Sequence, residues 1–316
     1  NGCNPERCTG LISTNLDQHI KMPKKLILNK MKGAIFHCGK TNLEIKTKET
    51  KAYVFNRTAF DTHIRDQAEK MGAIIHLKST YTENTTNKVI INMNILPFSR
   101  LIGCDGPHSR VAKNNELWQN RKFWHAIQYK IQLKNQPKDM VQLFLDQKYG
   151  DFFAWIVPEA DSYKVGLGTT GPNNLPLLKK FIKDHAPGKI VSKTAGDIPI
   201  WKDIKVNNNN VYLVGDAALQ VKATTGGGIN TGMTADKALI KSFNEPTTYK
   251  QNLTKLNYNL HTHHLIRNFL NKLNDNQRQQ LLKIVNPFKN IIINHGDMDN
   301  ATKIYDIFNI IPGIRR

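Results

Sequence analysis

The fold of this chain is decided by one stretch, residues 211–233, which reads VYLVGDAALQVKATTGGGINTGM. It opens with an apolar run typical of a buried strand, and after a glycine triplet residues 229–240 predict a helix. Glycines let backbone N–H groups approach a ligand, and a helix start offers free N–H donors with a partial positive charge. The stretch therefore predicts a ligand-binding turn in which Asp216 accepts a hydroxyl group of a ribose or ribityl chain. A purely structural turn is the alternative, because a glycine-rich loop alone is a weak motif.

The composition is that of a globular protein. The chain has 316 residues, enough for one or two domains, and 40% of them are hydrophobic and 22% charged. No apolar run approaches the roughly 18 residues needed to cross a bilayer, and no signal peptide is visible. The cysteines lack disulfide-framework spacing, so we expect free thiols and a cytoplasmic location for Cys3, Cys8, Cys38 and Cys104.

The charge balance is strongly basic. Lys and Arg number 45 against 25 Asp and Glu, a formal net charge of +20. Such a charge attracts nucleic acid, anionic lipid headgroups or acidic substrates, although an AT-rich genome would produce the same bias. Because the lysines are scattered and no nucleic-acid motif with interleaved aromatic residues appears, we expect no nucleic-acid partner.

The first third of the chain has the pattern of an α/β layer. An amphipathic helix is predicted for residues 59–71, where Gly72 stops it. The turn Cys104-Asp105-Gly106 follows a strand and would lie at the carboxyl edge of a sheet, where α/β proteins bind ligands; an ordinary turn is the alternative. Strand-like runs occupy residues 25–37, 43–55, 73–77, 89–93 and 99–103.

The remainder changes in texture. Residues 118–168 are aromatic and alternate in hydrophobicity, which predicts an antiparallel sheet and hence a second domain. A helix is predicted at 175–185, and the tail from about residue 247 is mostly helical and basic. His261, His263 and His264 lie together on this tail, but no carboxylate at a ligand spacing accompanies them, so we predict no metal site.

Several separated segments occur in an order that resembles a known family of flavoproteins. They are RCTGLIS at 7–13, Asn56-Arg57 before a helix, CDGPHS at 104–109, FAWIVP at 153–158 followed by VGLG at 165–168, Gly215-Asp216 with its glycine triplet, and HGDMD at 295–299. The combination resembles the geranylgeranyl reductase family, within the p-hydroxybenzoate-hydroxylase-like fold. It is most similar to the archaeal members that act on digeranylgeranylglycerophospholipids.

The resemblance implies an α/β fold with three parts. These are an FAD-binding Rossmann-like domain, an antiparallel β substrate domain and a helical C-terminal segment. The implied boundaries are residues 1–115 for the FAD-binding domain, 116–205 for the sheet domain that binds the prenyl chain, 206–245 for the return to the FAD-binding domain, and 246–316 for the C-terminal segment.

The resemblance also implies roles for individual residues. Asp216 would hold ribityl or ribose hydroxyl groups, Arg57 would reach the phosphates or ribose, and Cys8 would be a candidate catalytic residue because of its position beside the flavin. The residues implied to contact FAD are Arg7, Cys8, Thr9, Arg57, Asp105, Gly106, Gly215, Asp216, Gly227, Gly228 and Ile229. The residues implied to line the prenyl pocket are Phe153, Trp155 and Pro158.

The chain departs from the family pattern in two ways. The family begins with a strand, a G-x-G-x-x-G motif and an acidic residue, and none of these precedes Asn1. We therefore expect an N-terminally truncated sequence that lacks roughly one βαβ unit of about 30 residues. In addition, Phe153, Val157 and Leu219 stand where the family has Tyr, Phe and Gly, which bears on substrate preference.

The implied activity is that of an FAD-dependent oxidoreductase acting on CH–CH groups, which saturates isoprenoid double bonds of archaeal membrane glycerophospholipid precursors. Its expected partners are a prenylated glycerophospholipid substrate, an electron donor that is NAD(P)H or ferredoxin-like, and the inner face of the cell membrane, contacted peripherally. One alternative is a flavin-dependent monooxygenase or halogenase of the same fold. A non-enzymatic basic binding protein, which would bind no flavin, is another.

Overall fold

The computed structural model of the protein describes residues 7–245 and 247–303. Within these ranges the chain forms two compact units. The first, called here the sheet unit, comprises residues 7–60, 124–197 and 265–303. The second, called the glycine-turn unit, comprises residues 61–123 and 198–264. Cys8, Cys38 and Cys104 are free thiols, whereas Cys3 lies outside the described residues.

The strands are short, apart from those of the largest sheet. They are β1 Leu11–Ser13, β2 Ile27–Met31, β3 Gly33–Cys38, β4 Thr41–Lys46, β5 Ala52–Phe55, β6 Tyr81–Asn84, β7 Lys88–Ile91, β8 Asn94–Pro97, β9 Leu101–Gly103, β10 Phe123–Gln132, β11 Met140–Phe144, β12 Phe153–Pro158, β13 Tyr163–Thr169, β14 Lys189–Pro199, β15 Asn207–Asn208 and β16 Val211–Leu213.

The helices are concentrated towards the C-terminal end of the chain. They are α1 Arg57–Lys70, α2 Arg110–Asn114, α3 Asn174–His185, α4 Ile229–Asn244, α5 Tyr249–Asn252, α6 Thr254–Lys272, α7 Asp275–Val285 and α8 Lys289–His295. The helices predicted at 59–71, 175–185 and 229–240 correspond to α1, α3 and α4. The tail predicted to be mostly helical from about residue 247 contains α5 to α8, and its part from residue 304 onwards lies outside the described residues.

A seven-stranded sheet forms the framework of the sheet unit, in the order β14-β10-β13-β12-β11-β3-β4. The predicted antiparallel sheet is present, since β10, β13, β12 and β11 pair antiparallel in turn. The sheet also takes in β3 and β4 from the N-terminal part of the chain. Strand β3 pairs parallel with β11, with Gly33 opposite Met140.

The two faces of this sheet differ. Side chains alternate along each strand, and one set of residues packs with Leu178 and Phe181 of α3. This helix-covered face includes Ile131, Ala154, Ile156, Val165 and Leu167. The opposite face, called here the aromatic face, carries Gln128, Phe153, Trp155, Lys164 and Gly166, as the pairing register shows.

The glycine-turn unit is built on a parallel pair of strands. Strand β16 pairs parallel with β9 on one side and antiparallel with β15 on the other. The buried core around them includes Leu213 from β16 and Leu239 from α4, which pack with Leu253 and Leu260. Because β9 and β16 are parallel neighbours, the turns that follow them leave the sheet at the same edge.

One predicted strand is absent. Residues 73–77 form no strand, and among the described residues they pair with none. Ile74 is 82% exposed and Leu77 is 56% exposed, so the apolar alternation of this segment is not buried in either unit. The prediction was wrong because an apolar run becomes a strand only when a neighbouring strand accepts its backbone hydrogen bonds.

Candidate cofactor and substrate sites

The two turns predicted to contact a ligand lie side by side in the glycine-turn unit. Leu213 is opposite Gly103, and the Val214 N–H donates to the Gly103 carbonyl at 3.1 Å. Gly106 and Gly215, which follow these strands, have φ of 84° and 69°, the left-handed region that favours glycine. A Cβ atom added to either glycine would meet nothing within 4 Å, so both turns border open space.

The carboxylate of Asp105 is committed to the turn itself. Its Oδ2 accepts hydrogen bonds from the backbone N–H groups of Arg110 at 2.7 Å and Val111 at 3.0 Å. Ser109 Oγ accepts from the Ala112 N–H at 2.9 Å, so these two side chains cap the start of α2. Asp105 therefore shapes the Asp-Gly turn, which borders open space at Gly106.

Asp216 and the glycine triplet are brought together. Gly228 is the N-cap residue of α4, where no side chain caps the helix. A Cβ atom at Gly228 would lie 2.9 Å from Asp216 Oδ1, a distance that is too short for two unbonded atoms. Only glycine therefore lets this carboxylate lie directly against the start of a 16-residue helix, at the positive end of the helix dipole.

Two residues that the sequence reading did not assign support this loop. Lys222 is 4% exposed, and its carbonyl accepts from the N–H groups of Thr225 at 3.3 Å and Gly226 at 2.8 Å. His263 is fully buried, and its Nδ1 lies 2.6 Å from Thr224 Oγ1. Lys222 lies inside the motif and could have been singled out, whereas nothing in the sequence connects His263 of α6 to the glycine loop.

Another group of predicted site residues meets in the sheet unit. Gly10 lies between Cys8 and Arg57, since its N–H donates to Cys8 Sγ at 3.3 Å and a Cβ atom added to it would lie 3.5 Å from Arg57 Cγ. Thr9 Oγ1 donates to Gln128 Oε1 at 3.1 Å. The structure therefore brings Cys8, Thr9 and Arg57 together, and the Arg7 side chain beside them is exposed.

Gln128 connects this segment to the aromatic face. Gly166 of β13 pairs with Gln128 on one side and with Trp155 on the other. A Cβ atom at Gly166 would lie 2.5 Å from Trp155 Cζ2 and 2.7 Å from Gln128 Cβ, so the indole occupies the space that a side chain would fill. The Cys8–Thr9 segment and Trp155 therefore share one face of the sheet.

The aromatic face continues as a row of four neighbouring rings, of which the first two pairs are stacked and the third is edge-on. The ring centroids of Trp124 and Phe152 are 4.5 Å apart, those of Phe152 and Phe153 are 3.9 Å apart, and those of Phe153 and Trp155 are 5.9 Å apart. Arg267 covers Phe152 and Phe153, with its guanidinium carbon 4.9 and 5.3 Å from their ring centroids. Burial lowers the pKa of Arg267 to about 9, with a smaller contribution from Arg278.

Pro158 is separated from the other two predicted pocket residues. Strand β12 alternates, so Phe153 and Trp155 lie on the aromatic face while Pro158, opposite Tyr163, lies on the helix-covered face. The sequence numbers already indicate this separation, because side chains at odd positions of a strand face one side and those at even positions face the other. Trp155 Nε1 is buried and has no hydrogen-bond partner among the residues that the structure describes.

Comparison with known proteins decides the family. No protein-family model matches the chain. An uncharacterized protein of Methanocaldococcus jannaschii is 32% identical over 255 residues, which are 74% of this chain and 64% of that protein. Digeranylgeranylglycerophospholipid reductase 3 of Methanosphaera stadtmanae is 30% identical over 273 residues, which are 75% of this chain and 68% of that protein. The chain belongs to the digeranylgeranylglycerophospholipid reductase family.

The fold is shared with solved structures. The structure of a geranylgeranyl bacteriochlorophyll reductase-like protein from Thermoplasma acidophilum superimposes with a TM-score of 0.84 at 21% identity. The superposition covers 99% of this chain and 89% of that one, and it confirms the predicted fold class. The chain spans 64% of the length of the M. jannaschii protein and 68% of the length of the M. stadtmanae reductase.

In residues 7–245 and 247–303, no helix is both long and apolar enough to cross a membrane. Within the same ranges, no group of three or more His, Cys, Asp and Glu side chains could hold a metal ion.

Proposed function

We propose that this protein is an FAD-dependent reductase that saturates isoprenoid double bonds of archaeal membrane glycerophospholipid precursors. Membership of the digeranylgeranylglycerophospholipid reductase family supports this activity. The observation that carries the proposal is the aromatic face, where Gly166 leaves room for the Trp155 indole beside the anchored Cys8–Thr9 segment. The rings are 2 to 6% exposed, so they form an apolar lining that excludes water next to a polar segment, which suits a prenyl chain whose double bond is to react.

The glycine turn fits FAD. Because Gly228 has no Cβ, there is room for the Asp216 carboxylate at the start of α4. Open space borders Gly106 and Gly215. In the proposal, Asp216 accepts hydrogen bonds from ribityl or ribose hydroxyl groups, and the first N–H groups of α4 stabilise negative charge. FAD supplies hydride transfer. All the FAD contacts stay predictions, those of Arg7, Cys8, Thr9, Arg57, Asp105, Gly106, Gly215, Asp216, Gly227, Gly228 and Ile229.

The residues of the chain have the remaining tasks. Phe153 and Trp155 orient the prenyl chain and exclude water from the double bond. The Cys8 thiol is the candidate proton donor because of its position, in the segment that the Thr9–Gln128 hydrogen bond attaches to the aromatic face. The NAD(P)H or ferredoxin-like electron donor stays a prediction, as does peripheral contact with an anionic membrane, which the net charge of +20 favours.

The test uses the protein produced from its complete reading frame. We expect flavin absorbance after purification, bleaching of that absorbance by a reductant, and a mass gain of two hydrogens per double bond of digeranylgeranylglycerophospholipid. Asp216→Ala should lower bound FAD at least about tenfold, as loss of a hydrogen bond to a charged group does. The control is Asp203→Ala, an exposed carboxylate of the same unit. A protein without flavin, or a flavoprotein that leaves the lipid unchanged, would overturn the proposal.

A further inference from the structure

A buried charge cluster lies on the aromatic face, close to the Cys8–Thr9 segment. The side chains of Lys164 and Glu159 are 5% and 2% exposed, and Lys164 Nζ is 3.2 Å from Glu159 Oε1. Lys130 Nζ is 2.6 Å from Glu159 Oε2 and is 38% exposed. Burial opposes ionisation of Glu159, but the hydrogen bonds and charges of Lys130 and Lys164 outweigh it, so the pKa of Glu159 lies below its ordinary value.

Such a pair is an expensive way to stabilise a fold. Removing two charges from water costs several kcal/mol per ion, and well-packed apolar residues often stabilise as much or more. Stability of the fold alone therefore does not account for a buried lysine on this sheet. In this structure the reason lies in the other groups that the ammonium contacts.

Lys164 Nζ donates to two successive backbone carbonyls outside the sheet. The acceptors are the carbonyl oxygens of Thr9 at 3.1 Å and Cys8 at 3.4 Å. Residues 7–10 form no helix or strand, so regular secondary structure does not fix these carbonyls. The ammonium, itself fixed by Glu159, supplies a rigid attachment point for them.

The rest of the anchoring is weaker. Thr9 Oγ1 bonds Gln128 on the same sheet face, and the Phe55 N–H donates to the Gly10 carbonyl at 2.9 Å. Both are hydrogen bonds between neutral groups, which contribute less than bonds from a charged donor. Lys164 is therefore the principal anchor of the two residues that include the Cys8 thiol.

We propose that Lys164, oriented by Glu159, is a positioning residue that fixes the Cys8–Thr9 segment over the aromatic face. The expected effect of Lys164 on the rate of lipid reduction rests on the proposed function. Its expected effect on the conformation of residues 8 and 9 does not, because amide exchange can be measured without substrate. Lys164 touches neither FAD nor lipid in the proposal, and it acts through the backbone of residues 8 and 9.

The test compares Lys164→Met with Lys130→Met in the full-length protein. Both changes remove an ammonium that contacts Glu159, but Lys164 alone of these two lysines contacts the Cys8 and Thr9 carbonyls. We expect the amides of residues 8–10 to exchange hydrogen about tenfold faster or more in Lys164→Met, the effect of losing a charged donor. In Lys130→Met they should exchange as in the wild type, and Lys164→Arg should restore part of the protection.

Global unfolding is monitored separately. Cys38 is fully buried in the same unit, so its alkylation by iodoacetamide reports loss of the sheet rather than of the segment. If Lys164→Met does not fold, Lys164→Met combined with Glu159→Gln removes both buried charges and serves instead. Unchanged exchange at residues 8–10 in a folded variant would overturn the inference. An active wild type whose Lys164→Met variant keeps its kcat would do the same, whereas an inactive, flavin-free wild type would contradict only the proposed function.

Discussion

Successive residues of β13 enter two different environments. Val165 and Leu167 are fully buried against α3, in a cluster of aliphatic and aromatic side chains. Lys164, beside them, forms an ammonium–carboxylate pair with Glu159. Gly166, between them, faces the Trp155 indole ring. The same strand therefore contributes a conventional core on one face and, on the other, a charged group and a residue without a side chain.

The difference separates a face that serves stability from a face that, in the proposed function, lines the substrate site. Aliphatic side chains of the helix-covered face remove apolar surface from water without burying any polar group that would need a hydrogen-bond partner. The aromatic face gives up that advantage, because Gly166 buries no side chain and Glu159 must be ionised while buried. Departures of this kind from good packing are expected where a surface is kept for a ligand.

The largest effect is expected on the helix-covered face. Leu167→Ala removes a fully buried side chain and leaves a cavity in the cluster around α3. We expect a loss of about 3 kcal/mol in the free energy of unfolding, measured with urea, and an unchanged KM for lipid in the folded fraction. A several-fold rise in the KM for lipid, as expected below for Trp155→Phe, would erase the distinction between the faces.

Adding one methyl group on the aromatic face should have the next largest effect. In Gly166→Ala the new Cβ would lie 2.5 Å from Trp155 Cζ2, so the indole must move. We expect a loss of about 2 kcal/mol, typical of overpacking, together with slower lipid turnover. The control is Gly171→Ala, where the nearest atom would be 3.7 Å from the added Cβ and the free energy of unfolding should stay nearly constant.

Trp155→Phe should separate function from stability. The indole Nε1 has no hydrogen-bond partner in the part of the chain that the structure describes, so its loss removes packing only. We expect about 1 kcal/mol of destabilisation and a several-fold higher KM for the lipid. Trp201→Phe, a buried tryptophan of the glycine-turn unit, is the control that should alter stability without altering KM. Equal KM values in both variants would remove Trp155 from the substrate site.

Acid should lower the free energy of unfolding through one group near each face, in different pH ranges. These effects should be the smallest of those predicted here. Behind the helix-covered face, burial holds the pKa of His185 below its ordinary value of 6.5, despite the opposing charge of Asp184. The unfolded chain then takes up a proton first, so stability falls as pH drops below 6.5. Glu159 has a folded-state pKa below 4.5, so its contribution is complete above that pH and is lost only below it.

Urea unfolding over a pH series checks this difference. His185→Asn should flatten the decline that begins below pH 6.5, and Glu159→Gln should flatten the one that begins below pH 4.5. If both variants flattened the same range, the assignment of the two groups to different pH windows would be wrong.

The parts of the fold that depend on local pattern could be predicted from the sequence. The strand at Val211 and the helix after Gly228 are each predicted from the pattern of neighbouring residues, and both are present. The parallel pairing of β3 with β11 depends on contacts between distant segments, which periodicity does not record. Residues 73–77 carry a strand pattern, and only the absence of a pairing partner shows that it is not used.

The site divides in the same way. The motif predicts one ligand-binding turn that contains Asp216 and Gly228, and the structure adds that Gly228 lies directly against the Asp216 carboxylate. Lys164 was missed, since a lysine in a β-rich stretch is usually solvated and its carbonyl partners lie more than 150 positions away. Pro158 was grouped with Trp155 through a resemblance, although the two-residue period of a strand already separates them.

The parallel pairing of β3 with β11 also has a consequence for synthesis of the chain. Gly33 must find Met140, about one hundred residues later, before the hairpin of β3 and β4 can join the large sheet. At roughly 5–20 residues per second, a ribosome takes about 5–20 s to supply that partner. During this interval the hairpin has an unsatisfied edge and apolar side chains in contact with water. The nascent protein is then a target for association with other chains, and a chaperone that shields this hairpin would raise the yield of folded protein.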